Sequence, residues 1–258
     1  MPLLLLKEIS ATTRLAIWEI TEPHEFFLRV VPMPANIKHP HKQLQHLAGR
    51  YLLQYLFPDF PISAILIAET RKPFLENEAY HFSISHSGNY AAAIVSTTHR
   101  IGIDIEPQRQ KIAQVAHKFL SHQERAMVEH LLAKQSHKQE ITNTLSIDNG
   151  NQPPALPFSY TKLSLLTLLW CAKEAIYKWW GKGSVDFANM IQIDHIELSE
   201  PNVAQDSIEL KTSEHTSSLS LAIMQARFCK DREVFPLQLH YEILTKISLV
   251  WLVSATRH

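Results

Sequence analysis

One short segment of this 258-residue chain alternates isoleucine with residues that could do chemistry. In residues 101–106 the residues between the isoleucines are Gly102, Asp104 and Glu106. Because side chains alternate along a β-strand, a strand here would bury the isoleucines and point both acids to the opposite face. The pattern therefore predicts two carboxylates side by side on one face of a strand.

A second segment, residues 170–178, has a helical pattern. A helix would place Trp170, Glu174 and Lys178 on one face at successive i, i+4 steps, with Lys173 beside them. Alanines and an isoleucine in the same segment are available for packing. The helix thus presents a carboxylate and an ammonium group together.

Three carboxylates from two elements suit a divalent metal. Hard oxygen ligands suit magnesium, which takes one or two protein carboxylates together with water and substrate phosphate oxygens. The alternative is that Asp104 and Glu106 are ordinary solvated acids and that Glu174 and Lys178 form a surface ion pair. The spacing alone does not name a substrate.

Further motifs precede and follow these segments and carry a resemblance over about residues 40 to 183. In chain order the motifs are Ala48-Gly49-Arg50, Arg71-Lys72-Pro73-Phe74, Phe82-Ser83-Ile84-Ser85-His86-Ser87-Gly88, Gly102 to Glu106, and Trp170 to Lys178 with Gly181-Lys182-Gly183. In this set and order the chain resembles the 4'-phosphopantetheinyl transferase superfamily. It is most similar to the larger, monomeric, two-halved type that activates carrier proteins of synthetases.

The resemblance implies an α+β fold of two similar α/β halves related by a pseudo-twofold axis. We expect residues 1–106 to form the N-terminal half with the coenzyme A phosphate-binding motifs. Residues 107–258 would form the C-terminal half with the motif helix. Coenzyme A and Mg²⁺ would lie in the cleft between the halves, and an apo acyl or peptidyl carrier protein would dock at its mouth.

The implied reaction transfers the 4'-phosphopantetheine arm of coenzyme A to a serine of the carrier and releases adenosine 3',5'-bisphosphate. Asp104, Glu174 and Glu106 would be the metal ligands. Glu174 would be the general base, with a water on the metal as the alternative. Lys178 would contact phosphate oxygens, or pair with Glu174 on the helix surface. Asp104, Glu174 and Lys178 would thus be the catalytic residues.

Several residues are expected to bind coenzyme A. The resemblance assigns the region of Ser85 and His86 to the 3'-phosphate. The full set of expected ligand contacts is Arg50, Arg71, Lys72, Ser85, His86, Lys178 and Lys182. For Arg50 the alternative is a plain polar-face residue of its helix, and for Lys182 a cation that follows a helix C-terminus.

Two other functions stay open on the sequence. One is a metal-dependent nucleotide phosphohydrolase, which would need no carrier. The other is a non-catalytic module that binds a carrier protein, although such a module has no need of Asp104, Glu174 and Lys178. Apo carriers incubated with coenzyme A and magnesium distinguish these alternatives.

Bulk properties exclude some partners and compartments. The 25 basic and 25 acidic residues balance, so no overall field draws the chain to nucleic acid or to an anionic membrane. Cys171 and Cys229 are too few for a disulfide framework, which favours a reducing compartment. The start shows no secretory leader, and no apolar run reaches bilayer length. We therefore expect a cytoplasmic monomer.

Periodicity predicts the elements that position these residues. We expect an amphipathic helix over 41–57, a hairpin from Tyr80–Ser85 and Tyr90–Ser96, and a third strand over 99–106. Further strands are predicted over 12–19, 62–68, 191–198, 207–210, 217–225 and 236–253. Two helices are predicted within 110–134, where Ser121 and Glu124 form a capping box, and the motif helix over 162–180.

A polar segment is expected to lie outside the core. Residues 135–159 are rich in Ser, Asn, Gln, Asp, Gly and Pro, which predicts a long surface loop. Since the cost of loop closure grows slowly with length, such an insertion destabilises the fold little.

Overall fold

The computed structural model describes residues 2–33, 36–148, 160–198, 222–244 and 247–255. The elements are β1 (Leu3–Ser10), β2 (Thr13–Glu19), α1 (His24–Leu28), α2 (Pro40–Leu56), β3 (Leu66–Ile67), β4 (Pro73–Phe74), β5 (His81–Ser87), β6 (Tyr90–Ser96), β7 (His99–Pro107), α3 (Gln110–Phe119), α4 (His122–Asp148), α5 (Lys162–Trp180), β8 (Ile191–Ile196), β9 (Ala222–Lys230), β10 (Glu233–Ile243) and β11 (Ile247–Ala255). The predicted α+β class is confirmed. Within the described ranges, no helix is both long and apolar enough to cross a membrane.

Two antiparallel sheets form the body of the protein. The first has the order β1-β2-β6-β5, and the second has the order β7-β11-β10-β9-β8. A separate two-stranded ribbon pairs β3 with β4. The twofold relation between the halves stays a prediction.

Each sheet packs on a helix, and the two sheets also pack together. Helix α2 covers the first sheet, in a core with buried residues such as Leu47, Leu52 and Phe82. Helix α5 covers the second sheet, and its residues from 165 to 179 contribute a large part of that core. A third apolar cluster joins β2, β6, β7 and β11, so it lies between the sheets. Burial of this cluster holds the two sheets together.

Strand β7 lies at the junction of the two sheets. The predicted strand over 99–106 is confirmed, and its backbone pairs with β11 rather than with the β5–β6 hairpin. It still contacts β5, because the Ser83 and Ser85 hydroxyls accept hydrogen bonds from the Ile103 and Ile105 backbone amides. The strand is therefore shared, and the division of the chain at residue 106 stays a prediction.

Most predicted elements before α5 are confirmed. The helix over 41–57, the hairpin and the motif helix match α2, β5–β6 and α5. The capping box before α4 is also confirmed: Ser121 N–H donates to the Glu124 carboxylate at 2.8 Å, and Glu124 N–H donates to Ser121 Oγ at 3.2 Å. The strand predicted over 62–68 is wrong in length, since a 3₁₀ turn over Ile62–Ala64 leaves only the two residues of β3.

The predicted surface loop over 135–159 is wrong for its first part. Helix α4 continues without a break to Asp148. Polar residues such as Gln, Lys and Glu have good helix propensity, and composition alone overestimated the breaking effect of their neighbours. Residues 149–159 lie outside the described residues.

Strands after α5 agree with the predicted pattern where they are described. Strand β8 matches the first part of 191–198, and β10 with β11 accounts for 236–253. The strand predicted over 217–225 begins within the described residues at Ala222. The strand predicted over 207–210 lies outside the described residues.

Candidate active site

A close approach between α5 and β7 creates the site. A Cβ added to Gly102 would lie 2.1 Å from the carbonyl oxygen of Ala175 and 3.0 Å from the backbone nitrogen of Trp179. Only glycine allows the helix backbone to cross the strand at this distance. The isoleucines of β7 face the opposite way, into the cluster between the sheets. The carboxylates of β7 therefore face the helix, as the alternation predicted.

Asp104 is the most buried acid of this face, with 3% of its surface exposed. Its Oδ1 accepts from the Ser85 hydroxyl at 2.7 Å and from Lys178 Nζ at 2.6 Å. Its Oδ2 is buried and has no hydrogen-bond partner among the described residues. Glu106, two residues on, accepts from the Ser87 hydroxyl at 2.5 Å. Alternate serines of β5 thus hold alternate acids of β7.

Helix α5 presents its predicted face to these acids. Trp170, Glu174 and Lys178 are partly exposed, while most other residues of the helix from 164 to 179 are buried. Lys173 is not beside them. It is fully buried, with Nζ donating to Glu124 at 2.8 Å and to the carbonyl oxygens of residues 187 and 191. Lys173 therefore ties α5 to α4 and β8.

An open pocket of about 580 Å³ lies where these faces meet. We call it the acidic pocket. It is lined by Ile84, Ser85, His86, Asp104, Glu106, Trp170, Glu174 and Lys178. All three predicted metal-ligating acids are therefore brought together with the predicted catalytic lysine.

Burial and neighbouring charges raise the pKa of two carboxyl groups in this pocket, Glu174 and Glu106. Burial raises the pKa of Glu174 to about 7, with the Asp104 charge adding to the rise and Lys178 opposing it. Burial also raises the pKa of Glu106, against the hydrogen bond from Ser87. A carboxyl that titrates near neutral pH can accept and return a proton under cellular conditions.

The donor atoms of the acidic pocket can be compared with the needs of a magnesium ion. The described residues contain no group of three or more His, Cys, Asp or Glu side chains arranged to hold a metal. Magnesium needs only one or two protein carboxylates when phosphate oxygens and waters complete its shell. The buried, unpartnered Oδ2 of Asp104 is a hard donor of the required kind. The residues present therefore fit magnesium as one partner of a shell that a phosphate ligand completes.

A second pocket of about 630 Å³ adjoins the first. We call it the basic pocket. It is lined by Thr70, Arg71, Lys72, Pro73, Phe82, Ser83, Ile84, Tyr177, Lys178 and Gly181. Ile84 and Lys178 line both pockets, so the two pockets are neighbours, and together they are called the cleft.

The turn between β3 and β4 docks on the C-terminal end of α5. Gly181 has φ 70° and a Cβ there would lie 2.6 Å from Lys72 Nζ. Thr70 Oγ1 donates to the Gly181 carbonyl at 3.0 Å, and Arg71 adopts a left-handed φ of 66°. Burial lowers the pKa of Lys72 to about 8, and the Arg100 charge adds to this. The cations of this turn are thus held at the edge of the cleft.

Arg50 and Lys182 do not line either pocket. Arg50 lies on α2, where its Nη1 is 3.1 Å from Nδ1 of His46. Lys182 Nζ lies 5.0 Å from the ring centroid of Trp180. Of the expected ligand contacts, Arg71, Lys72, Ser85, His86 and Lys178 line the cleft.

Cys171 is not a nucleophile in this arrangement. It is fully buried on α5, and burial together with the charges of Asp104 and Glu106 raises the pKa of its thiol well above the usual value. A protonated, enclosed thiol is inert. Cys171 therefore packs within the core and takes no part in the chemistry of the site.

A comparison with protein families shows which family the chain belongs to. The sequence model of the 4'-phosphopantetheinyl transferase superfamily matches residues 100–229, about half of the chain. The chain belongs to the 4'-phosphopantetheinyl transferase superfamily. The match includes α5 and all of β7 except His99, and thus all four charged residues that α5 and β7 contribute to the acidic pocket.

Membership supports phosphopantetheine transfer to carrier proteins in general, with coenzyme A as donor. No curated protein matched the sequence significantly. The motifs from Arg50 to His86 lie before the matched residues.

Some cleft residues were missed by the sequence analysis. Tyr177 lines the basic pocket, and its position three residues after Glu174 on a helix is a signal that places it near the same face. Thr70 directly precedes the Arg71-Lys72 motif but lacks a charge that would have marked it. Outside the two pockets, His46 was also missed; its position four residues before Arg50 on a helix is a signal that places these two side chains together.

Proposed function

We propose that the protein transfers the 4'-phosphopantetheine group of coenzyme A to a serine hydroxyl of an apo carrier protein, in a magnesium-dependent reaction that releases adenosine 3',5'-bisphosphate. The observation that supports this most is that two pockets of opposite charge lie side by side. An acidic pocket with Asp104, Glu106 and Glu174 adjoins a basic pocket with Arg71 and Lys72. A nucleotide pyrophosphate needs carboxylates that hold its metal ion and cations that contact its phosphate oxygens.

The basic pocket and His86 would hold the anionic parts of coenzyme A. Arg71 and Lys72 provide cations at one edge of the cleft, and Lys178 provides one where the two pockets meet. Burial and the nearby charge of Lys178 lower the pKa of His86, and a bound phosphate beside the ring would oppose this shift. Fixed cations around a phosphoryl group lower the barrier because they oppose charge that develops in the transition state.

Glu174 would remove the proton of the attacking serine. The serine Oγ forms a bond to the β-phosphorus, the bond from that phosphorus to the bridging oxygen breaks, and the serine proton passes to Glu174. Adenosine 3',5'-bisphosphate leaves with the bridging oxygen. The Glu174 carboxyl, with a pKa raised to about 7 by burial, is matched to this task near neutral pH.

Asp104 would hold magnesium through Oδ2, with Glu174 and Glu106 as further ligands. When bound, the ion supplies positive charge that stabilises the phosphate oxygens. Ser85 and Lys178 fix the Asp104 carboxylate through Oδ1, so Oδ2 keeps one orientation. We further propose that the protein is cytoplasmic, because coenzyme A and carrier proteins are expected in that compartment. We propose a monomer because the larger, two-halved type that the chain resembles is monomeric.

Intact-protein mass measurement tests the function. Apo acyl and peptidyl carriers are incubated with coenzyme A, magnesium and the protein, and one carrier should gain a single phosphopantetheine mass. Glu174→Gln, which keeps the size of the side chain but cannot accept the proton, is the matched control and should show little gain. Phosphate release from nucleotides without any mass gain would instead support a phosphohydrolase and overturn the proposal.

A further inference from the structure

His46 and Arg50 form a hydrogen-bonded pair one turn apart on α2. Nη1 of Arg50 lies 3.1 Å from Nδ1 of His46. A guanidinium has donors and no acceptor, so Arg50 donates and His46 Nδ1 accepts. The ring hydrogen of the neutral imidazole must then lie on Nε2.

The environment keeps this imidazole neutral. Burial lowers the pKa of His46 to about 4, and the charges of Arg50 and His86 add to the effect. His46 therefore remains an acceptor throughout the cellular pH range. Its proximity to His86 also shows that the pair lies near the end of β5.

Contacts on both sides of His46 fix its place over β5. Gln45 Nε2 donates to the Gly88 carbonyl at 2.8 Å. Gly49 packs so closely that an added Cβ would lie 2.6 Å from Cγ2 of Ile84. These contacts come one residue before and three residues after His46. They therefore hold the intervening helical turn in a fixed position relative to β5.

Because the hydrogen-bond partner of Arg50 is a neutral imidazole, the positive charge of Arg50 is not compensated by it. None of the ion pairs formed within the described ranges includes Arg50. An acidic partner would orient the guanidinium but would also compensate its charge. A neutral imidazole orients it and leaves the positive charge free to attract an anion.

We propose that His46 is a positioning residue that holds the Arg50 guanidinium for the phosphate groups of coenzyme A. The inference rests on the proposed function, in which coenzyme A is the donor. It adds a residue that acts through Arg50. Neither His46 nor Arg50 lines the two pockets, but the charge of His86, which lines the acidic pocket, acts on His46, so the pair lies beside that pocket.

Two variants of nearly the same shape test this role. In His46→Asn the amide oxygen takes the place of Nδ1 and can still accept from Arg50, whereas in His46→Leu a methyl group takes that place. Calorimetry should show that His46→Leu raises the Kd of coenzyme A about 5- to 10-fold, less than the direct loss of a hydrogen bond to a charged group, because Arg50 itself remains. His46→Asn should stay within about twofold of the wild type, and kcat at saturating coenzyme A should change by less than about twofold in both.

A double-mutant cycle separates positioning from other roles. Arg50→Ala should raise the Kd by itself, and adding His46→Leu to Arg50→Ala should change it by less than about twofold. Equal weakening by the Leu and Asn variants, or additive effects in the cycle, would overturn the inference while coenzyme A binding by the wild type still stands. Failure of the wild type to bind coenzyme A would overturn the proposed function and the inference with it.

Discussion

The acidic and basic pockets adjoin each other but are built in different ways. The acidic pocket takes its charges from a strand and a helix, β7 and α5, whose backbones touch at Gly102. The basic pocket takes Arg71 and Lys72 from a short turn between the two-residue strands β3 and β4. Regular elements hold side chains more precisely than turns do.

Because they are built differently, the acidic pocket is suited to the chemical step and the basic pocket to binding. Burial and the repulsion between three crowded acids raise the pKa of Glu174, and the same crowding favours a cation. The turn cations need only attract phosphate, which tolerates less exact placement. We therefore expect changes in the acidic pocket to affect kcat and changes in the basic pocket to affect coenzyme A affinity.

The largest expected effect is in the acidic pocket. Glu174→Gln should lower kcat by roughly 10²- to 10⁴-fold, the usual cost of losing a general base. Asp104→Asn should also lower transfer, but extra magnesium should restore part of its activity, because this change weakens a metal ligand and leaves the base. The measurement is the rate of carrier mass gain as magnesium is titrated.

The two acidic variants also check the division of roles. Near-normal turnover by Glu174→Gln at saturating magnesium would contradict the base assignment. Full activity of both variants would show that the acidic pocket is not the transferase site.

Lys178 links the two pockets, so its replacement should change both kinetic constants. Lys178→Ala removes the cation that contacts Asp104 at 2.6 Å and lines the basic pocket. We expect kcat/KM to fall roughly 10- to 100-fold, as for the loss of a hydrogen bond to a charged group. Lys162→Ala, at the exposed start of the same helix, is the control and should leave kcat/KM unchanged. A change in KM alone would confine Lys178 to the basic pocket.

The contact at Gly102 can be broken without touching any charge. Gly102→Ala should destabilise the fold by about 1–3 kcal/mol, as is usual for overpacking, and should move α5 away from Asp104. Gly49→Ala is a milder control, because its Cβ would meet the Cγ2 methyl group of Ile84 and not a backbone carbonyl. Thermal unfolding and kcat measure the two effects. A Gly102→Ala protein with normal stability and kcat would contradict the proposed role of this contact.

How far the sequence predicted this arrangement depends on the periodicity of each part. The alternation around Asp104 and the i, i+4 spacing of Glu174 and Lys178 were enough to predict both faces of the acidic pocket. They were not enough to predict the burial of Lys173, because the helical spacing shows in which direction a side chain points but not which other element covers that side chain. Glu124, from a capping box 49 residues earlier, is the partner that buries Lys173.

The first strand and the partner of β7 were harder to predict. Strand β1 lies at a sheet edge and its residues alternate poorly in burial, so its period-2 pattern is weak. Strand β7 pairs with the distant strand β11, in a register that places Pro107 opposite Ile247. The alternation within each strand shows which face is buried, but it does not show which distant strand is the neighbour.

The smallest expected effect tests the basic pocket through pH. Burial lowers the pKa of Lys72 to about 8, so Lys72 is charged below that pH and loses its charge as pH rises through it. The Kd of coenzyme A should therefore rise about 2- to 5-fold from about pH 7 to about pH 9, the range of a partly exposed ion pair. Lys72→Arg keeps its charge over this range and should remove most of the rise, whereas kcat at saturating coenzyme A should follow the same pH profile in both proteins. A rise of equal size in Lys72→Arg would mean that another group controls binding, and the basic pocket would then owe its affinity to residues other than Lys72.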